Sequence, residues 1–334
     1  MKLHPLIEDA YRVLEGKELS RDELLALAGE IHGEDLLDLI SLANKVRRKF
    51  APQWSRCSIV NARSGRCGED CRFCAQSGHH HSEIETYPLL EPEKVLAAAR
   101  KVHAEGVRTF GYVTSGRGWL KPDGDFIKIL DTMDLLHREL PDMYLCVSLG
   151  ILGEECVRLL AEHHVRRYNM NLQTAPGKYG ELVATSHSIT EKLETIRLLK
   201  KYGIANCTGG IFGLGETWED RIDLALAVRE LDVEGSPLNI LLPIPGTPLD
   251  HLQPLPLDEV LTAIALFRLI NPKAVVRMCG GRQQLGEDQY RCFTSGANGA
   301  IVGNYLTTNG NELAEDLARI RALGFTFARE AKHA

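Results

Sequence analysis

The 334-residue sequence predicts an α/β fold, a complete (β/α)8 TIM barrel preceded by an N-terminal helical extension. Two observations predict it. Eight short β-rich runs, at 57–62, 109–115, 143–149, 167–172, 204–209, 238–242, 274–279 and 299–303, alternate with stretches of helical periodicity. Those stretches, near 92–105, 124–139, 153–163, 190–202, 217–231, 257–271, 284–295 and 311–322, each suffice for a right-handed crossover between parallel strands. Eight such units point to a closed barrel rather than an open sheet, and a barrel of this length folds as one domain.

The elements follow in order. Residues 1–52 read as helices, 53–323 as the barrel and 324–334 as a C-terminal tail. Ser20 and Glu23 form a capping box that opens a segment carrying Leu24, Leu25 and Leu27. Residues 35–50 place apolar side chains at helical spacing and end in Lys45, Arg47, Arg48 and Lys49, which suit a helix C-terminus and read as a solvated last turn. The stretch 67–88 after the first strand is long for a βα connection, which marks it as functional rather than structural.

Composition narrows the function classes. With 44% apolar and 25% charged residues and a net charge of -6, the chain is an ordinary globular one. Thirty-nine basic against forty-five acidic residues give no cationic field, so a nucleic-acid partner is not expected and a metabolite-sized ligand is. No membrane span is expected, because no stretch approaches the roughly 20 unbroken apolar residues one needs. The N-terminal residues lack the pattern of a signal peptide, so the expected location is cytoplasmic. The nine cysteines, odd in number in a long chain, are therefore reduced, and spacing must separate metal ligands from packing residues.

Cys67, Cys71 and Cys74 form a C-x3-C-x2-C pattern directly after the first strand. Three thiolates so close can wrap one metal centre. A structural zinc site wants four ligands, and one of His79, His80 and His81 would have to be the fourth. An iron–sulfur cubane held by three protein thiolates leaves one iron open for a substrate.

This spacing, with Phe73 just before the third cysteine and placement after strand one, resembles the radical S-adenosylmethionine (SAM) superfamily. Within it, several motifs resemble the biotin synthases: 58–67 running into Glu69, Asp70 and Cys71; 74–77; 168–172; 207–217; Asn239 with 246–248; Arg277 with Gly281 and Arg282; and 296–298 with 306–308. The resemblance spans about residues 57 to 308, most of the barrel. It implies conversion of dethiobiotin to biotin by sulfur insertion at two unactivated carbons. A [4Fe-4S] cluster on Cys67, Cys71 and Cys74 would bind SAM, and an auxiliary iron–sulfur cluster would supply sulfur. It also implies a flavodoxin- or ferredoxin-type electron donor and a homodimer formed through the N-terminal helices. Another enzyme of the same subgroup, a metallocofactor maturase or a mutase, is the alternative. A zinc- or iron-binding scaffold is the non-enzyme one.

Gly209, Gly210, Gly213, Gly215 and Glu216 lie at a strand-to-helix turn, which alone would fit a plain tight turn. By the resemblance, Gly210, Gly213 and Glu216, together with Asn171 and Gln173, contact SAM. Asn169 and Asn171 share one face of strand four, and Asn239 lies in strand six; an amide offers both donor and acceptor to a cyclic urea or a ribose. The resemblance gives Asn169, Asn171, Asn239, Thr307 and Thr308 to the substrate.

For the auxiliary cluster, the common form is a [2Fe-2S] centre on three cysteines and an arginine. Cys146, Cys207 and Arg277 match three of those positions, while Gly111 stands where the fourth, a cysteine, is expected. Cys279, two residues beyond Arg277 and so on the same strand face, and Cys57, opening strand one, are the candidate replacements. This variant resembles biotin synthases of anaerobes, for which a larger cluster such as [4Fe-5S] has been proposed. Gln173 replaces a family carboxylate, which removes charge assistance from any bond it makes and leaves room for a different substrate. Cys156 and Cys292 lie in helical segments and read as packing residues.

Overall fold

A computed structural model describes residues 2–307, 310 and 312–327. Eight strands close into a barrel: β1 (Gln53–Arg63), β2 (Thr109–Thr114), β3 (Tyr144–Ser148), β4 (Arg167–Asn169), β5 (Ala205–Cys207, continued by Gly210–Phe212), β6 (Gly235–Ile240), β7 (Val275–Met278) and β8 (Gly299–Ile301). Each pairs parallel with the next, and β8 returns to β1 through Ser55↔Gly299 and Cys57↔Ile301. Each expected run overlaps a strand. The β1 ladder starts four residues before Cys57, and Thr326–Phe327, counted with the tail, pairs parallel to its beginning.

Helices follow the strands as the periodicity predicts. They are Pro92–Ala104, Gly124–Glu139, Glu154–Glu162, Ile189–Lys201, Trp218–Glu230, Leu257–Ile270 and Leu313–Ala322. The stretch expected as a helix near 284–295 is instead 3-10 over Arg282–Tyr290, broken where Gly286 takes φ +54°, before one α-turn at Arg291–Thr294.

The N-terminal extension comprises α1 (Pro5–Ala10), a 3-10 turn at Tyr11–Glu15, α2 (Arg21–Glu30) and α3 (Glu34–Phe50). The Ser20–Glu23 capping box is present in both directions, with Ser20 N–H donating to Glu23 at 2.7 Å. Helix α3 buries Leu36, Leu39, Leu42, Ala43 and Val46 and packs on Leu257–Ile270. The latter is buried at every position from Val260 to Ile270, because α3 covers the face it would otherwise show to water. Arg47 departs from the expected solvated turn: it is 7% exposed, lies 4.3 Å from the Phe325 ring and donates to Pro52 O at 3.3 Å. Among the described residues no helix is long and apolar enough to cross a membrane.

Alternation along the strands separates two environments. Phe110, Tyr112, Leu145, Val147, Tyr168, Leu238, Val276 and Met278, all nearly fully buried, form the apolar layer under the helices. The opposite face points into the barrel, where closed barrels are ordinarily filled by Val, Ile and Leu. Here that face carries Cys57, Ile59, Gly111, Cys146, Arg167, Asn169, Cys207, Asn239, Arg277 and Cys279, around a cavity of about 360 Å³.

Candidate active site

The cavity floor is built by strand register. Gly111 pairs with Ile59 on one side and Cys146 on the other, and Cys146 pairs with Arg167. Cys207 pairs with Asn169 and Gly235, and Arg277 with Pro237 and Gly299. Cys57, Cys146, Cys207, Cys279 and Arg277 thus line one chamber, each under 9% exposed. Arg277 donates to Cys207 Sγ at 3.3 Å and to Ser55 Oγ at 3.1 Å.

Two glycines make room for that guanidinium. A Cβ on Gly235 would lie 2.4 Å from Arg277 Nη1, and one on Gly299 would lie 2.9 Å from its Cγ. Burial, with Cys57 and Cys207 adding like charge, pushes the Cys146 and Cys279 thiols far above the ordinary thiol range. Without a metal to displace their protons, these groups are thiols at neutral pH.

Above the floor, β4 ends at Asn169 and the chain beyond it pairs with β5 again at a Gln173↔Gly210 bridge, while β5 breaks between Cys207 and Gly210, and these breaks carry the polar groups. Gln173 takes φ +72°; its N–H donates to Gly209 O (3.1 Å), and its carbonyl accepts from Ile211 N–H (2.8 Å). Asn171 Oδ1 accepts from Gly209 N–H at 3.2 Å, leaving its Nδ2 without a partner among the described residues. Gln173 Oε1 is buried and likewise unpartnered. Asn239 clamps the opposite side, donating to Gly210 O (3.1 Å) and accepting from Gly280 N–H (3.0 Å). A Cβ on Gly210 would meet Gln173 O at 2.6 Å, so only glycine permits this approach.

Of the residues expected to contact cofactor or substrate, Asn169, Asn171, Gln173, Asn239 and Thr307 line the cavity. Gly210 lies directly behind it, between Asn239 and Gln173. The Glu216 side chain is only 2% exposed, accepting from Gly213 N–H at 2.8 Å and pairing with Arg221 at 2.7 Å. Its observed contacts fix the turn in which Gly213 stands at φ +99°. Thr308 lies outside the described residues.

The three-cysteine loop sits at the C-terminal mouth. Cys67 N–H donates to Gln76 O (3.1 Å) and Cys74 N–H to Cys71 O (3.0 Å), while Cys71 and Phe73 pack on a small apolar cluster that includes Tyr179, Ile211 and Leu241. The loop is moored at its acidic residues. Asp70 accepts from Thr185 N–H and Ser186 N–H, both at 3.0 Å, and Glu69 meets Ser186 Oγ (2.7 Å) and His187 Nδ1 (2.6 Å). Burial pushes the Cys71 thiol up to about 12 and Cys74 up to about 11. Lys192, buried nearby, is pushed down to about 8 by the same burial, against the pull of Cys71 and Glu69.

Among the described residues no three His, Cys, Asp or Glu side chains are grouped to hold a single metal ion. Two of the three histidines offered for a zinc site are otherwise engaged: His79 Nε2 is 2.9 Å from Gly68 O and His80 Nε2 is 3.0 Å from Cys71 O, where each acts as a donor.

Arg167 is a functional residue not expected from the sequence. It lines the chamber, pairs with Glu234 and lies 4.6 Å from the Tyr144 ring. Burial works against its charge, and Glu234 together with Cys146, Cys207 and Tyr144 more than offsets that. The signal was available, since Arg167, Asn169 and Asn171 recur at every second position of one strand face.

Residues 62–228 match the model of the radical SAM superfamily, and residues 237–326 that of the Biotin and Thiamin Synthesis associated domain. Biotin synthase of Chlorobium luteolum is 48% identical over 323 residues, covering 96% of this chain and 97% of that one. Biotin synthase of Chlorobaculum parvum is 47% identical, covering 94% and 96%. The chain belongs to the biotin synthase family. Methylornithine synthase shares the fold with a TM-score of 0.83 at 18% identity, covering 96% of this chain and 97% of that one. The FeFe-hydrogenase maturase HydG from Carboxydothermus hydrogenoformans does so with a TM-score of 0.75 at 16% identity, covering 96% and 78%.

As a radical SAM enzyme of this family, the chain requires a [4Fe-4S] cluster and SAM, and its donor set fits the groups. Three thiols stand at the mouth and four at the floor, Arg277 has a glycine-lined cradle, and the unpartnered Gln173 Oε1, Arg167 Nε and Arg277 Nε await partners.

Proposed function

We propose that the protein is a sulfurtransferase that converts dethiobiotin to biotin by radical SAM-dependent sulfur insertion at two unactivated carbons. One observation carries this. A barrel interior that would normally be packed with aliphatic side chains is hollow, and at its floor it gathers four thiols and a guanidinium. When bound, a [4Fe-4S] cluster with SAM supplies a hydrogen-abstracting deoxyadenosyl radical, and an auxiliary cluster supplies sulfur.

Cys67, Cys71 and Cys74 are the proposed ligands of the first group. Cys146, Cys207 and Arg277, with Cys57 and Cys279, are those of the second. Between them, the Asn171 Nδ2 hydrogens and Gln173 Oε1 orient the organic ligands, and Gly210 and Gly213 with the buried Glu216 shape the turn against which SAM lies. Asn239 retains one N–H and one lone pair beyond its two backbone bonds, enough to read a cyclic urea alongside Asn169. Thr307 and Thr308 serve the substrate carboxylate. Ile59, Val113, Ile240 and Leu241 line the walls and keep water from a radical that would otherwise be quenched.

A metallocofactor maturase or a mutase would also use the three-cysteine loop, but its chemistry gives no role to Cys146, Cys207 and Arg277 in one chamber. The reading includes a flavodoxin- or ferredoxin-type electron donor, a homodimer and a cytoplasmic location. Anaerobic incubation of the iron- and sulfide-reconstituted protein with dethiobiotin, SAM and a reductant tests it. Biotin and 5′-deoxyadenosine are expected together, and 5′-deoxyadenosine without biotin would refute the substrate.

A further inference from the structure

Behind the thiol chamber the barrel opens a second time. A cavity of about 1060 Å³ occupies the N-terminal end of the strands, and Arg167 and Arg277 line both it and the chamber. These two side chains are the partition between the cavities. They are 6% and 3% exposed, and each leaves its Nε without a partner. Five cations against two carboxylates line the rear cavity, and Lys273 and Arg166 stand exposed on its rim. Such a funnel concentrates small anions, and unpartnered guanidinium N–H groups at its inner end give them a landing site.

The front mouth faces a different demand. On the proposed reading it is filled by SAM and substrate while sulfur is being consumed below them. We propose that the rear vestibule binds small sulfur anions and admits hydrosulfide to the thiol chamber past Arg167 and Arg277, independently of the front mouth. This rests on the functional reading above. It assigns a ligand class to a cavity that the sulfur-insertion chemistry itself does not use.

The test uses reconstituted holoenzyme with saturating SAM and dethiobiotin, exposed to 35S-hydrosulfide and desalted at intervals so that protein-bound label is counted. Cys207→Ser gives the background from the loop cluster. Val275→Trp narrows the vestibule from a residue that lines it but not the chamber, and Lys273→Glu with Arg166→Glu reverses the rim charge. Each is expected to slow labelling about fivefold or more, with iron, acid-labile sulfide and SAM affinity unchanged. The effect of charge reversal should fade at high salt. Equal labelling rates in native and charge-reversed protein would overturn the proposal, as would labelling of the native protein that SAM and dethiobiotin abolish. Should Val275→Trp misfold, the surface charge variants decide alone. If iron never exceeds four per chain, the functional reading fails and the vestibule proposal falls with it. Unchanged labelling with full iron removes only the rear entry.

Discussion

Gly111 shows how closely single residues set the chamber. A Cβ there would meet Ile59 Cγ2 at 2.9 Å, so this pair of strands leaves no slack for a thiol unless Ile59 moves. Cys57 and Cys279 supply sulfur atoms from other strands of the same wall. On this account, Cys57→Ala and Cys279→Ala each lower auxiliary iron and sulfide per chain while leaving the four irons of the loop cluster. Cys156→Ala, at a fully buried helical position, leaves metal content unchanged and costs about 1 kcal/mol in urea unfolding. Gly235→Ala, which pushes on Arg277 at its Nη1, is expected to lose auxiliary iron with the barrel still folded. The cysteines were legible in the sequence because their type is rare and their spacing specific. Arg167 and Arg47 were not, because an arginine at an element's end reads as solvated unless tertiary contacts are known.

At the scale of elements, the helix Ile189–Lys201 matters most to the loop. Its capping box joins Ser188 and Glu191, and Glu191 also holds Arg117 at 2.5 Å, which in turn donates to Ser186 O at 2.8 Å. The Ser188 backbone N–H keeps the Glu191 carboxyl below its ordinary value of 4.5. A depressed carboxyl adds stability above its unfolded-state value and loses it as pH falls through the folded one. Because the Glu191 side chain is 37% exposed, solvent screening keeps the effect small: Glu191→Gln should cost only a few tenths, about 0.3–0.5 kcal/mol, at pH 7, and the difference from native should shrink as the pH of urea unfolding is lowered below about 4. All eight strands were legible from periodicity. The breaks in β4 and β5 were not, because they depend on Asn171 bonding across to Gly209 and on Gln173 at positive φ, neither of which a local pattern records.

The whole molecule depends on closing the ring. Arg268, fully buried, donates to Gly296 O (2.7 Å), Asn271 O (3.1 Å), Pro272 O (3.1 Å), Ala274 O (2.8 Å) and Asn298 Oδ1 (2.7 Å). Asn298 in turn accepts from Val276 N–H at 2.9 Å and donates to Ala51 O and Gln53 O, tying β7, β8 and the start of β1 together. Asn298 falls within a family motif, and its observed side-chain partners are all backbone groups and Arg268 at the seam. Arg268→Leu leaves this set unsatisfied and should lower stability by about 3 kcal/mol or more in urea unfolding. On the proposed function, the floor thiols hold the sulfur that enters the product. The most direct test is a single-turnover reaction of protein reconstituted with 34S-sulfide, run in unlabelled buffer, with the biotin weighed by mass spectrometry. Biotin carrying 34S at the enrichment of the protein-bound sulfide is the expected result. Biotin without label, or no biotin beside abundant 5′-deoxyadenosine, would contradict that function.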